Sequence, residues 1–189
     1  LVIIGAICLV LGRTIPKVPP ELSKLLMETG LENLGSLLEE LGIRTKGIYL
    51  PSSLTSGKPQ AIIPLHRKLD LAEISGALPR RLIVPWGRNP EDVGILVSTT
   101  GSNFMEMLEV KPGPSSEEIA AALTTLLVGT LNVADGVRVS LDNAGAVVEV
   151  SRPYLESKNS WLQQTLGSPI ASIVSSVVAE ALGKPVIIK

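Results

Sequence analysis

Histidine and cysteine each occur once in the 189 residues, as His66 and Cys8. A lone cysteine allows no intrachain disulfide and no thiolate metal cluster. A lone histidine removes His-rich zinc sites and the 2-His-1-carboxylate triad. Cys8 lies within an apolar run, a poor setting for a thiolate nucleophile. Asp135, Asp142 and Glu149 do not stand at metal-ligand spacing, and turn or strand-edge roles explain them. No metal and no cofactor is therefore expected. Aromatics make up 3% of the chain, and Tyr49, Trp86, Phe104, Tyr154 and Trp161 are few platforms for stacking bases or sugars. Charge of neither sign dominates: 17 Lys and Arg face 18 Asp and Glu, for a net −1. A broad nucleic-acid-binding surface gains nothing from that balance, and no nucleic-acid partner is expected.

What the chain has in quantity is aliphatic side chains. Hydrophobic residues are 45% of the sequence and the mean hydropathy is +0.36. With so few aromatics, the core must be built from Leu, Ile, Val and Ala. The length suits one well-packed domain and is short for two.

The stretch from Gly167 to Lys189 organises the rest. Ile170, Ile173, Val174, Val177, Val178, Ala181 and Leu182 recur at helical spacing. The opposite side carries Ser168, Ser172, Ser175, Ser176 and Ala179, with Glu180 alone ionised. A helix greasy on one face and merely small on the other is expected to be buried on both. Gly183 is the natural residue to end it, and Lys184-Pro185 then opens the strand Val186-Ile187-Ile188.

At the other end, Leu1 to Gly12 (LVIIGAICLVLG) has no polar side chain except the thiol. Twelve helical residues cover about 18 Å, short of the roughly 20 residues that a bilayer needs. Residues 1–13 are read as the C-terminal part of a transmembrane anchor, the chain starting at Leu1. The other readings are a buried strand or core helix, or the apolar part of a secretory signal, which would want a small-residue cleavage site after it. Arg13 and Lys17 follow the run, and positive flanks favour the cytoplasmic side. The soluble part is thus expected to be membrane-anchored and cytoplasmic. Residues 14–20, with three prolines, read as a stiff linker, and residues 21–189 as an α+β domain.

Within that domain, Leu22, Leu25, Leu26, Leu34, Leu37, Leu38 and Leu41 keep helical phase across Gly30 and Gly35. Two short helices or one kinked helix ending at Gly42 are expected, with Glu28, Glu32, Glu39 and Glu40 solvated. Gly47 to Pro51 and Gln60 to Pro64 read as a hairpin with a long polar loop. Asp70 to Leu78 reads as a short helix capped by Asp70. Arg81 to Pro85 and Val93 to Val97 read as strands about a turn. Proline closing three of these strands points to short, edge-like pairings. A short helix is expected to run from the turn at 98–103 through Glu109. Ser115-x-x-Glu118 is a capping box opening a helix that turns Ile119, Leu123, Leu126 and Leu127 inward. Val137 to Leu141 and Ala146 to Val150, around Asp142-Asn143-Ala144-Gly145, make the clearest hairpin. Lys158 to Leu166 reads as helix or coil. The fold class is α+β, a single domain whose mixed or antiparallel sheet of six to eight strands packs with helices. Residues 20–85 and 115–189 both read helix, hairpin, helix, strand, so a pseudo-duplication is an expectation that strand order can test.

Two clusters carry candidate chemistry. Ser98, Thr99, Thr100, Gly101, Ser102 and Asn103 form a hydroxyl-rich turn between a strand and a helix, a geometry that can hold phosphate or carboxylate. The competing reading is N-capping by Ser102 or Asn103. His66, Arg67, Lys68, Arg80, Arg81 and Arg88 form a basic patch that could meet an anionic ligand or acidic lipid head groups. A solvated face balanced by nearby carboxylates is the plainer reading. Ser56-Gly57-Lys58 lacks the spacing of a phosphate loop. His66 is the natural general base near neutral pH, and nothing marks a catalytic triad around it. Ala171, Ser175 and Ala179, and likewise Ser168, Ser172 and Ser176, form small-residue ridges that permit close backbone approach.

Three functional readings follow. The first is a membrane-tethered interaction or dimerisation module, bound to a protein partner or to a second copy. The second is a ligand sensor whose aliphatic pocket lies beside helix 168–182 and takes a small apolar or anionic molecule. The third, and weakest, is a metal-independent enzyme, which lacks an activated nucleophile.

Overall fold

The helix near the C-terminus, whose only charged residue is Glu180, takes the interior position that its composition demands. The computed structural model describes residues 20–66, 69, 74, 76–108, 110–142, 145–154 and 160–189. The anchor expected at 1–13 and all but the last residue of the linker expected at 14–20 lie outside the described residues, as do Arg67, Lys68, most of the helix expected at 70–78, and Asn143 and Ala144.

In chain order the elements are α1 (Pro20–Glu40), β1 (Ile48–Leu50), a 3-10 turn (Ser52–Leu54), β2 (Gln60–Pro64), β3 (Ile83–Pro85) and β4 (Val93–Val97). There follow α2 (Thr100–Phe104) with a 3-10 turn (Met105–Met107), and α3 (Ser116–Thr124) running on into a π-helical turn (Thr125–Thr130). The chain ends with β5 (Gly136–Asp142), β6 (Gly145–Ser151), α4 (Ser160–Leu166), α5 (Pro169–Leu182) and β7 (Val186–Ile187). The α+β class stands. The strands divide, however, into a five-stranded antiparallel sheet of order β3-β4-β2-β1-β7 and a separate hairpin, β5-β6.

Alternation along the strands gives the main sheet two apolar faces. Tyr49, Ala61, Ile63, Ile95 and Val97 join Leu38 of α1, Leu162 and Leu166 of α4 and Ala179 of α5 in one cluster. Ile48, Leu50, Ile62 and Leu96 point the other way, onto Leu69, Leu78, Val84 and Trp86. A third cluster joins the inward side of α5 to Ile119, Leu123, Leu126 and Leu127, and the hairpin lays Val137, Val139, Val148 and Val150 over it. These last four leucine and isoleucine side chains are wholly buried. Each such burial is worth roughly 1.5–3 kcal/mol. Helix α5 thus lies between two cores.

The structure corrects several local expectations. Helix α1 is one continuous helix across Gly30 and Gly35, and it ends before Gly42, whose φ is +64°. Gly35 is buried where α1 crosses the domain, so packing offsets its low helix propensity. The prolines that close strands do not mark edges: β2 is the middle strand and β1 is interior. Pro64 sits opposite Gly94 at the last pair of its ladder and Pro51 lies beyond β1, positions where a missing N–H costs little. Of the three strands closed by proline, β3, with Pro85, alone lies at an edge of the sheet. The two halves do not repeat, since the first hairpin is the heart of the main sheet and the second stands apart, and β7 pairs with β1.

Capping follows the side chains. Ser115 and Glu118 form the reciprocal box at the start of α3. Ser168 caps α5 with Pro169 behind it, and Gly183 closes the helix at φ +61°. Residues 161–182 are apolar and long enough to cross a membrane by composition, yet most of that stretch is buried within the domain. Gly167, at φ +73°, breaks it into α4 and α5.

Helices α2 and α5 approach each other closely. A Cβ on Gly101 would collide with the Ser176 hydroxyl and the Ser172 carbonyl of α5. The Ser172-Ser176 ridge is therefore the bed of another helix. Gly101→Ala should reverse the usual gain of alanine in a helix and destabilise by about 1–3 kcal/mol in urea unfolding; an unchanged midpoint would show that the helices slide apart without penalty.

Candidate functional site

The most developed polar site is built on Glu180, the one charge that α5 brings into the interior. Its side chain is only 5% exposed. The Ser52 amide donates to Oε2 at 2.7 Å and the Ser52 hydroxyl to Oε1 at 2.6 Å. Lys111 Nζ donates to Oε1 at 2.6 Å and to Ser52 Oγ at 2.9 Å. The 3-10 turn after β1 points its first residue at α5, and the rigid Lys111-Pro112-Gly113-Pro114 connector brings the lysine across from the far side. Burial pushes the Glu180 carboxyl up, but the hydrogen bonds from Lys111 and Ser52, with the lysine charge, outweigh it and hold the group below its ordinary 4.5. Chemically this is a clasp, which ties three elements distant in sequence. The Ser52 hydroxyl is committed to a carboxylate that is already charge-paired.

Hydroxyls line the contact of α2 with α5. Thr99, not Ser102 or Asn103, is the N-cap of α2: its side chain accepts from the Ser102 amide, and Ser102 Oγ accepts from the Thr99 amide. The Gly101 amide donates to Ser172 Oγ at 3.4 Å, and the Asn103 amide to the Thr99 carbonyl at 3.3 Å. Four amides of the 98–103 turn thus end on protein oxygens. Thr99, Gly101 and Ser102 are buried, while Ser98, Thr100 and Asn103 are exposed, and Asn103 Oδ1 accepts from Lys58 at 3.4 Å. Nearby, the Tyr49 hydroxyl donates to the Leu166 carbonyl at 2.6 Å. Burial pushes this phenol up to about 12 against the opposing hydrogen bond with Ser172, so it stays protonated.

The basic patch is divided. Arg67 and Lys68 lie outside the described residues. Arg80 and Arg81 precede β3, Arg88 lies in the turn after it, and His66 follows β2; all four are exposed. An exposed His66 is not held in any enclosure with a nucleophile, so the enzyme reading draws nothing from it. Two clefts open on the surface, one of about 430 Å³ against Asn89, Pro90, Glu91 and Asp92, the other of about 280 Å³ among Ser56, Gly57, Lys58, Gln60, Arg80 and Glu106. Neither is lined by α5. Among the described residues no group of three or more His, Cys, Asp or Glu side chains could hold a metal ion.

Sequence reasoning did not join Ser52, Lys111 and Glu180, because 59 and 128 positions separate Ser52 from its partners. The available signal was Glu180 itself, a lone charge on a helix otherwise without one.

Stability should report this clasp. Because the folded-state carboxyl titrates below that of the unfolded chain, acidification protonates the unfolded chain first. The stabilisation is complete above about pH 4.5 and disappears as the pH falls through the folded value. Glu180→Gln should cost about 1–3 kcal/mol at pH 7 and flatten the acid limb of the stability profile. An unaltered limb would mean that other carboxylates govern it.

No curated protein and no solved structure matches the chain. A family model does, across residues 2–189, which takes in the apolar run, the linker and the whole α+β domain. The chain belongs to the family described as Domain of unknown function (DUF7982).

Proposed function

We propose that the protein is a membrane-tethered interaction module that self-associates through the outward side of α1. One observation carries this reading. Leu31, Leu34 and Leu38 of α1 pack into the domain, while Leu22, Leu25 and Leu37, with Leu41 just beyond the helix, stay 45–60% exposed. One exposed leucine is ordinary; four along a single helix form a surface that association would cover.

The anchor is the second half of the proposal. Leu1 to Gly12 is uncharged and apolar, Arg13 and Lys17 follow it, and the proline-rich spacer delivers the chain directly to Pro20 at the start of α1. Positive residues after the run favour a cytoplasmic domain. Tethered copies share one plane, so their effective concentration is high and a shallow apolar contact is enough. The sensor reading has less support, because the small ridge of α5 that would wall its pocket is occupied by Gly101.

The test is sedimentation of the full chain in density-matched detergent across a range of protein-to-detergent ratios. Species above one chain are expected, and Leu25→Ser with Leu37→Ser should reduce them to single chains without loss of helical circular dichroism. Glu28, Glu32, Glu39 and Glu40 are all exposed on the same helix, so like-charge repulsion should make association rise with salt. A single-chain mass for the native sequence at every ratio would refute self-association.

A further inference from the structure

We infer that the free β3 edge of the main sheet is a docking surface for an anionic membrane. Leu82 and Ile83 are 61% and 60% exposed at this edge. Val84, the next residue, is by contrast buried among Trp86, Leu69 and Leu78. Arg80 and Arg81 precede the pair and Arg88 follows it, all three exposed. From Arg80 to Pro90 the sequence has no carboxylate. Asp92 is buried and accepts from the Asn89 amide, which leaves Glu91 as the exposed acid of this turn.

An exposed sheet edge usually invites another strand. This one is poorly made for it: β3 is three residues long and Pro85 has no N–H. An acidic peptide would find charge here but little ladder to add to. A lipid surface needs no ladder. It takes shallow aliphatic side chains into the acyl boundary and gathers phosphates around cations. The segment from Arg80 to Pro90 carries three arginines and no acid although the whole chain is close to neutral, so docking should need anionic lipid and weaken with salt.

The inference sharpens the membrane reading above without requiring α1 to self-associate. It is tested on the full chain in vesicles of neutral phosphatidylcholine, with or without a third of phosphatidylglycerol. An environment-sensitive thiol probe is placed at position 83 by Ile83→Cys in a Cys8→Ser background. A second chain carries the probe on Cys8, and a third at position 147 by Val147→Cys with Cys8→Ser. Brominated lipids are expected to quench the probe at 83 in anionic vesicles only and to leave the probe at 147 bright. Arg81→Gln should lower the docked-to-undocked ratio about fivefold, near the effect of one cation at such a surface.

A probe at 83 that stays bright in anionic vesicles while Cys8 is quenched would overturn docking and keep the anchor. Quenching at 83 with Cys8 bright would keep docking and remove the anchor. Equal quenching in neutral vesicles would refute a charge-selective surface. Shielding of position 83 that grows with protein concentration in the absence of lipid would instead assign the edge to contact between copies.

Discussion

Helix α5 imposes the central constraint: it must be surrounded, and almost nothing large fits along one of its sides. Its aliphatic stripe finds α3, the π-helical turn and the β5-β6 hairpin, while Ala179 faces the cluster under α1 and α4. The serine side can be closed only by backbone. Gly101 supplies that, since any side chain there would overlap Ser172 or Ser176. Two cores on opposite sides of one helix are thereby held in fixed relation, and the order of the surrounding elements follows.

Several of the polar groups brought inside by this arrangement are spent on the fold, while the Ser176 hydroxyl and the Trp161 indole N–H are buried without a hydrogen-bond partner. Thr99, Ser102 and Ser172 bond to one another or to amides, Tyr49 bonds to the end of α4, and Glu180 is neutralised by Lys111 and by two donors of Ser52. Buried polar groups satisfied in this way specify one packing more than they add net stability. They also leave little reactive capacity in the interior. What remains for recognition is the surface.

Those surfaces differ in charge. Helix α1 presents leucines among glutamates, and the β3 edge presents aliphatics among arginines. Their sum hides in a net charge of −1. In the proposed tethered arrangement, an acidic apolar helix following the apolar run and a basic apolar edge elsewhere would give the domain two distinct faces, one for like copies and one for phosphate-bearing lipid. A family whose model runs from residue 2 to residue 189 treats the apolar run and the domain as one unit.

Local rules determined much of this chain. The capping box at Ser115, the end of α5 at Gly183, the β5-β6 hairpin and the inward face of α3 were all legible, because caps, turns and hydrophobic period act over a few residues. The α+β class followed from the same signals. Tertiary structure alone decided that β2 is central despite its proline, since a ladder's end is defined by its partner's length. It decided that Thr99 caps α2, because Gly101 must turn its backbone to α5. It also united Ser52, Lys111 and Glu180, and placed Leu82 and Ile83 outside while Val84 went in. Each of these depends on which distant segment arrives opposite, and single-chain periodicity has no measure of that.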